Sequence, residues 1–199
     1  MVTSIDQLDE NKKYSYADYL TWKFDGYVEL LRGKLSRMAA PTSDHQRMVL
    51  RLGTLFDNYL ADNPCKVYPA PFDVRLLDHK KSTADKDIFT VVQPDVCVIC
   101  DENKVDKKGC LGSPDLIVEI LSPSTKKKDV EDKFELYEYN GVREYWIVSI
   151  EDETILVFDL DDTGNYKFRK LYGDNEGNVH SNAIEGFSFK LERLFSAKR

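Results

Sequence analysis

Gly112-Ser113-Pro114-Asp115-Leu116-Ile117-Val118-Glu119-Ile120-Leu121-Ser122-Pro123-Ser124-Thr125 is the stretch on which the fold turns. Leu116 to Leu121 is five apolar residues around one glutamate, bounded on each side by a proline-containing segment. A short apolar run between turn signals predicts a strand buried on both faces, at the centre of a sheet. A helix is expected next, from about Lys128 to Asn140 and closed by Gly141, followed by a second apolar strand over Glu144 to Ile150. Strand, helix and strand in that order predict an α/β fold, with a mixed central β-sheet flanked by helices.

Upstream, Val91 to Cys100 reads as a strand interrupted by Pro94, and Lys66 to Leu77 as one broken by Pro69 and Pro71, suited to an edge or bulge. A long helix is expected from about Asp44 to Ala61, capped by Thr42 or Ser43. Met48, Leu52, Leu55, Phe56 and Tyr59 fall on one face of it. Tyr27 to Leu31 and Lys34 to Ala39 flank Arg32-Gly33 as a hairpin, and Ser15 to Trp22 reads as a short capped helix. Asp78 to Asp87 and Asp101 to Pro114 read as polar loops. Downstream, Thr154 to Leu160 and Tyr166 to Tyr172 predict an antiparallel pair, and a short helix over Leu191 to Phe195 closes the chain. With no repeat and no flexible linker, residues 1–199 are expected to form a single domain.

Glu119 is the residue that asks for chemistry. A carboxylate inside an apolar strand is costly to bury ionised unless a metal or another cation faces it. Asp95 follows Pro94 in the preceding strand, and if the two strands are neighbours both acids converge at one end of the sheet. Two carboxylates, a main-chain carbonyl and waters make an open site of the kind Mg²⁺ prefers. The plain alternative is a local cap or salt bridge at Asp95 and a Lys or Arg partner for Glu119. Lys133, on the following helix, either aims at the Glu119 end of the sheet or pairs on the surface with Asp129, four residues earlier. Glu29, in an apolar stretch, is a further acid in need of a partner. His45, at the start of the long helix, is a general base, a phosphate contact or a capping group. His79 and His180 carry no assignment.

Cys65, Cys97, Cys100 and Cys110 are expected to be free thiols, since no export signal is legible. Cys97 and Cys100 form a CxxC, but three residues apart on a strand they point to opposite faces, which argues against a shared ion.

The order of these residues resembles one family. Tyr27-Val28-Glu29-Leu30 before Gly33, Pro41 then His45-Gln46, Gln93-Pro94-Asp95-Val96, the run from Gly112 to Thr125, Asp129 and Lys133 before Tyr137, and Gly141-Val142-Arg143-Glu144-Tyr145-Trp146-Ile147-Val148 recur in it. The chain is similar to the Uma-type putative restriction endonuclease family of the PD-(D/E)XK nuclease superfamily, over roughly Tyr14 to Leu160. The resemblance implies a restriction-endonuclease-like fold, often as a homodimer, and a Mg²⁺- or Mn²⁺-dependent enzyme that cleaves DNA. It implies Asp95 and Glu119 as metal ligands, with the Ile120 carbonyl as a further one. The superfamily lysine two residues after the second acid is Leu121 here, and Lys133 matches the helix lysine that substitutes for it. Glu29 matches an acid supplied early in the chain, and His45 a histidine near the site.

Composition sets limits on these readings. With 28 Lys+Arg against 35 Asp+Glu the net charge is −7, which disfavours tight, non-specific coating of nucleic acid. By segment the net charge is 0 over residues 1–60, −4 over 61–140 and −3 over 141–199. The middle segment also holds Lys104, Lys107, Lys108 and the triplet Lys126-Lys127-Lys128, expected as a local phosphate-gripping rim. No apolar run reaches the length of a membrane span, so a cytoplasmic protein without a membrane partner is expected. Beside the nuclease stand two other readings: a non-catalytic module of the same fold that binds DNA or a protein, and an acid-rich metal-binding or small nucleotide-hydrolysing protein.

Overall fold

A computed structural model describes residues 2–24, 26–121, 127–174 and 177–195, with backbone alone at 127–130. In chain order the strands are β1 (Val28–Leu31), β2 (Lys34–Arg37), β3 (Lys66–Pro69), β4 (Val74–Leu76), β5 (Thr90–Val92), β6 (Val96–Ile99) and β7 (Val105–Asp106). They continue with β8 (Gly109–Leu111), β9 (Leu116–Leu121), β10 (Glu144–Ser149), β11 (Thr154–Leu160), β12 (Tyr166–Tyr172), β13 (Asn178–His180) and β14 (Ser188–Lys190). The α-helices are α1 (Tyr16–Tyr19), α2 (Ser43–Leu60), α3 (Lys127–Asn140) and α4 (Glu192–Phe195).

The apolar run Leu116–Leu121 obtains what a doubly buried strand requires. As β9 it lies between β10, parallel to it across the α3 crossover, and β6, antiparallel to it. The sheet around it runs β12-β11-β10-β9-β6-β3 and is the expected mixed central sheet. One face, with Val96, Val118, Ile120, Trp146 and Val148, packs on Met48, Leu52 and Phe56 of α2 and on Phe187, Phe189 and Leu194 near the C-terminus. The other face, with Cys97, Ile117, Tyr145 and Ile147, packs on Leu136 and Tyr137 of α3 and on Val74, Leu76 and Val92. Those last three belong to a second six-stranded sheet, β2-β1-β5-β4-β8-β7, which the sequence reading did not separate from the first.

Proline accounts for the separation. The segment expected as one broken strand over 66–77 is two strands, β3 in the central sheet and β4 in the other, with Pro71 between them. The segment over 91–100 divides the same way at Pro94, into β5 and β6. A residue without an N–H cannot continue a ladder, so at both prolines the chain leaves one sheet for the other. The hairpin β1–β2 forms as expected, with positive φ at Arg32 (53°) and Gly33 (88°), as a two-residue type I′ turn requires.

Three further expectations need correction. Asp101 to Pro114 is not a plain loop: β7 and β8 form a hairpin whose carbonyls at Gly109 and Cys110 accept from the buried Arg75 guanidinium. Tyr59 is exposed and donates its hydroxyl to the Glu185 carbonyl, while Val49 and Leu60 complete the buried face of α2. Cys65 and Cys100 are joined as a disulfide, because they flank the antiparallel pair Lys66↔Ile99 of β3 and β6; Cys97 and Cys110 are free and buried.

The sequence reading missed a further buried acid. Glu144, on β10, is fully buried and accepts from Trp146 Nε1, Arg169 Nη2, Ser181 Oγ and the amides of Asn182 and Ala183, at 2.6–2.8 Å. It ties Arg169 of β12 and the 181–183 turn to β10. Removing one partner of such a buried pair leaves the other uncompensated, so Glu144→Ala is expected to lower unfolding free energy by about 3–5 kcal/mol. Urea titration followed by Trp fluorescence measures it, and a change within about 0.5 kcal/mol would show that the carboxylate contributes nothing.

Candidate functional site

Glu119 is the third-last residue of β9, and one pair beyond Val96↔Val118 places Asp95 opposite it. The Asp95 carboxylate is held by the Ile120 amide, which donates to Oδ2 at 2.7 Å. His45, in the first turn of α2, meets the same oxygen through Nε2 at 3.1 Å. A carboxylate only accepts, so Nε2 carries the proton. That bond raises the His45 imidazole above its ordinary range, although burial opposes it. His45 Nδ1 is buried without a partner among the described residues.

The other half of the site comes from the second sheet. Glu29, on β1, accepts from the Gln93 amide at 2.9 Å and from Lys133 Nζ at 2.8 Å. Lys133 also donates to Glu119 Oε1 at 2.9 Å, and Tyr137, one turn later on α3, donates its hydroxyl to the same oxygen at 2.6 Å. The ammonium thus joins an acid of each sheet. Lys133 is not the surface partner that the Asp129 alternative requires; the Asp129 side chain lies outside the described residues.

Charge at this point is out of balance. Glu29, Asp95 and Glu119 face one lysine and one histidine. Burial, helped by Asp95 and Glu29, pushes the Glu119 carboxyl up to about 7 against the pull of Lys133. Burial also works against the Lys133 charge, but Glu119 and Glu29 outweigh it and hold the ammonium above the usual lysine range. Burial and then Glu119 keep Tyr137 a neutral phenol, and so a donor.

Glu29, His45, Asp95, Glu119, Ile120 and Lys133 all line one cavity of about 470 Å³. Every site residue expected from the sequence is therefore in one place. Gln93 and Tyr137 were not assigned roles there. The signal for Tyr137 was its spacing: four residues after Lys133, it shares that residue's helix face. Gln93 carried none, because its contribution is a main-chain amide, while its side chain ties Asp73 and Tyr19 to the β5 end. The lysine rim expected from 104, 107 and 108 is not at the cavity. Lys104 donates to the Ser113 carbonyl and Lys108 pairs with Asp85, because the β7–β8 hairpin lies at the far edge of its sheet. Lys126 and the side chains of Lys127 and Lys128 lie outside the described residues, as does the Ser122 to Thr125 stop.

Among the described residues, no three His, Cys, Asp or Glu side chains are placed to hold an ion by themselves. The donors available are two carboxylates, Asp95 and Glu119, and the Ile120 carbonyl. This all-oxygen, incomplete set suits a hard cation that keeps several of its waters, and a dication would offset the surplus negative charge.

The Uma2 family, described as "Putative restriction endonuclease", matches residues 16–192. The chain belongs to this family. An uncharacterized protein of Synechocystis sp., slr1290, is 29% identical over 186 residues, which is 92% of this chain and 92% of that protein. The crystal structure of a putative nuclease belonging to DUF820 from Anabaena variabilis matches with a TM-score of 0.72 at 14% identity, covering 92% of this chain and 98% of that one. At that identity the likeness is one of fold. It spans both sheets of this Uma2-family chain. No helix among the described residues is long and apolar enough to cross a membrane.

The Tyr137 hydroxyl is the simplest part of the site to test. A hydrogen bond to a charged group contributes about 1.5–3 kcal/mol, so Tyr137→Phe is expected to destabilise the protein by that amount. Denaturant unfolding would read it, and an unchanged midpoint would mean that Glu119 does not use the hydroxyl.

Proposed function

We propose that the chain is a divalent-cation-dependent endodeoxyribonuclease whose reaction centre is the Glu29–Asp95–Glu119–Lys133 cluster. The observation that carries this reading is the Lys133 ammonium, buried between two acids from different sheets at the floor of an open cavity. A structural salt bridge needs one acid; this one has two, and a third carboxylate, on Asp95, stands beside Glu119.

Asp95, Glu119 and the Ile120 carbonyl would hold Mg²⁺ or Mn²⁺, which when bound supplies positive charge to a phosphate and lowers the pKa of a bound water. The chain's own residues provide the rest. The Ile120 amide and His45 fix the Asp95 carboxylate, and Tyr137 and Lys133 fix that of Glu119. Such preorganisation means that little must move when charge develops. Among the described residues Lys133 is the one lysine that lines the cavity, and it would offset negative charge gathering on phosphate oxygens. Glu29 holds Lys133 in place and keeps it charged. His45, with Nε2 against Asp95 Oδ2, would hold that side chain in place.

The test is nicking of supercoiled plasmid by the full chain with Mg²⁺ or Mn²⁺, against the same reaction in chelator. Metal-dependent nicking is expected, reduced at least about 100-fold by Asp95→Ala, by Glu119→Gln and by Lys133→Met. Undiminished nicking in Asp95→Ala or Glu119→Gln would remove this site from the account. No cutting of any DNA, with no cation binding by calorimetry, would favour the non-catalytic module.

A further inference from the structure

The cavity that holds these acids also bears on what form of DNA reaches them. Alternate residues of a strand share a face, and on β1 and the residue before it Tyr27, Glu29 and Leu31 all line the cavity. Tyr27 is 54% exposed and stands at the mouth, whereas Glu29 is 2% exposed at the floor. Two residues of extended strand span about 6.7 Å, the scale of one nucleotide. The wall beside Tyr27 is apolar, made by Met38, Ala39, Ala40, Pro41 and Pro71.

Two further observations concern the substrate. The Asp95, Glu119 and Lys133 side chains retain only 12–13% exposure, so a scissile phosphate must enter the recess to meet them. Duplex DNA is stiff over about 150 base pairs, and bending it to seat one phosphate in a recess costs free energy that a flexible single strand does not spend. Among the described residues, few of the cations with which proteins grip a duplex backbone line the cavity. Those described there are Arg37, His45 and Lys133; Arg37 is paired with Asp6 at 2.9 Å, and the other two are engaged with the acids. An exposed aromatic ring with an apolar wall is instead the equipment for stacking an unpaired base.

We infer that the site takes single-stranded DNA, with one base stacked on Tyr27 and its phosphate delivered to the acids below. This rests on the nuclease reading and narrows it. The floor is reached by a chain that can bend at each nucleotide, and the selectivity comes from stacking on Tyr27.

The experiment compares cleavage of one labelled 30-mer as single strand, as blunt duplex and as RNA of the same sequence, in Mn²⁺. The single strand is expected to be cut at least 10-fold faster than the duplex. Tyr27→Ala is expected to weaken single-strand binding about 5- to 100-fold by fluorescence anisotropy, and Tyr27→Phe, which keeps the ring face, to restore it. A thermal melt checks that both variants fold. A duplex cut as fast as the single strand, or Tyr27→Ala without effect on binding, overturns the inference and leaves the nuclease reading standing. RNA cut faster than DNA overturns the choice of DNA. No cleavage of any of the three removes the nuclease reading and this inference with it.

Discussion

The Lys133 ammonium, held at 2.8 Å from Glu29 and 2.9 Å from Glu119, is the interaction around which the molecule is organised. Glu29 belongs to one sheet, Glu119 to the other, and Lys133 to the helix that crosses between β9 and β10. The contact therefore closes the molecule and assembles the site at once. Buried ion pairs of this kind contribute little net stability, since desolvation offsets most of the attraction. In the proposed function that cost goes with holding the site ready for a ligand. Here the negative charge remains in excess, and the carboxyl at its centre is pushed up to about 7 by burial and by the two neighbouring acids.

That contact is possible because of two prolines. At Pro71 and Pro94 the chain passes from one sheet to the other, and Asp95 lies immediately after the second crossing. Gln93, immediately before it, donates its amide to Glu29. Three consecutive residues thus connect the acid of the second sheet, the crossing itself and the acid of the central sheet. A strand that ran straight through Pro94 would carry Asp95 away from Glu29. The backbone that separates the sheets is the backbone that brings the acids together.

Much of this was legible in the sequence, for identifiable reasons. Leu116–Leu121 revealed its central place because a strand buried on both faces loses the alternation that a half-exposed strand keeps. The β1–β2 hairpin and α2 were legible from local chemistry: Arg32-Gly33 suits a tight turn, and Thr42 caps His45. The acids were legible because charged residues in apolar strands need partners. What stayed hidden depends on contacts between distant segments. The second sheet reads as interruptions of the first, since Pro71 and Pro94 mark a break without saying where the chain goes. The Cys65–Cys100 link joins residues 35 positions apart, and Glu144 finds its donors in a turn nearly forty residues later. The role of Gln93 lies in a main-chain amide, which no side-chain pattern announces.

The account stands on Asp95 and Glu119 forming one cation site with Lys133 beside it. Crystals of the full chain soaked in Mn²⁺ and measured at the manganese edge test this most directly. The account predicts an anomalous peak at about 2.0–2.2 Å from carboxylate oxygens of both Asp95 and Glu119, absent from Glu119→Gln crystals treated alike. A cavity without manganese, or a peak that ignores Glu119 and persists in Glu119→Gln, would contradict it.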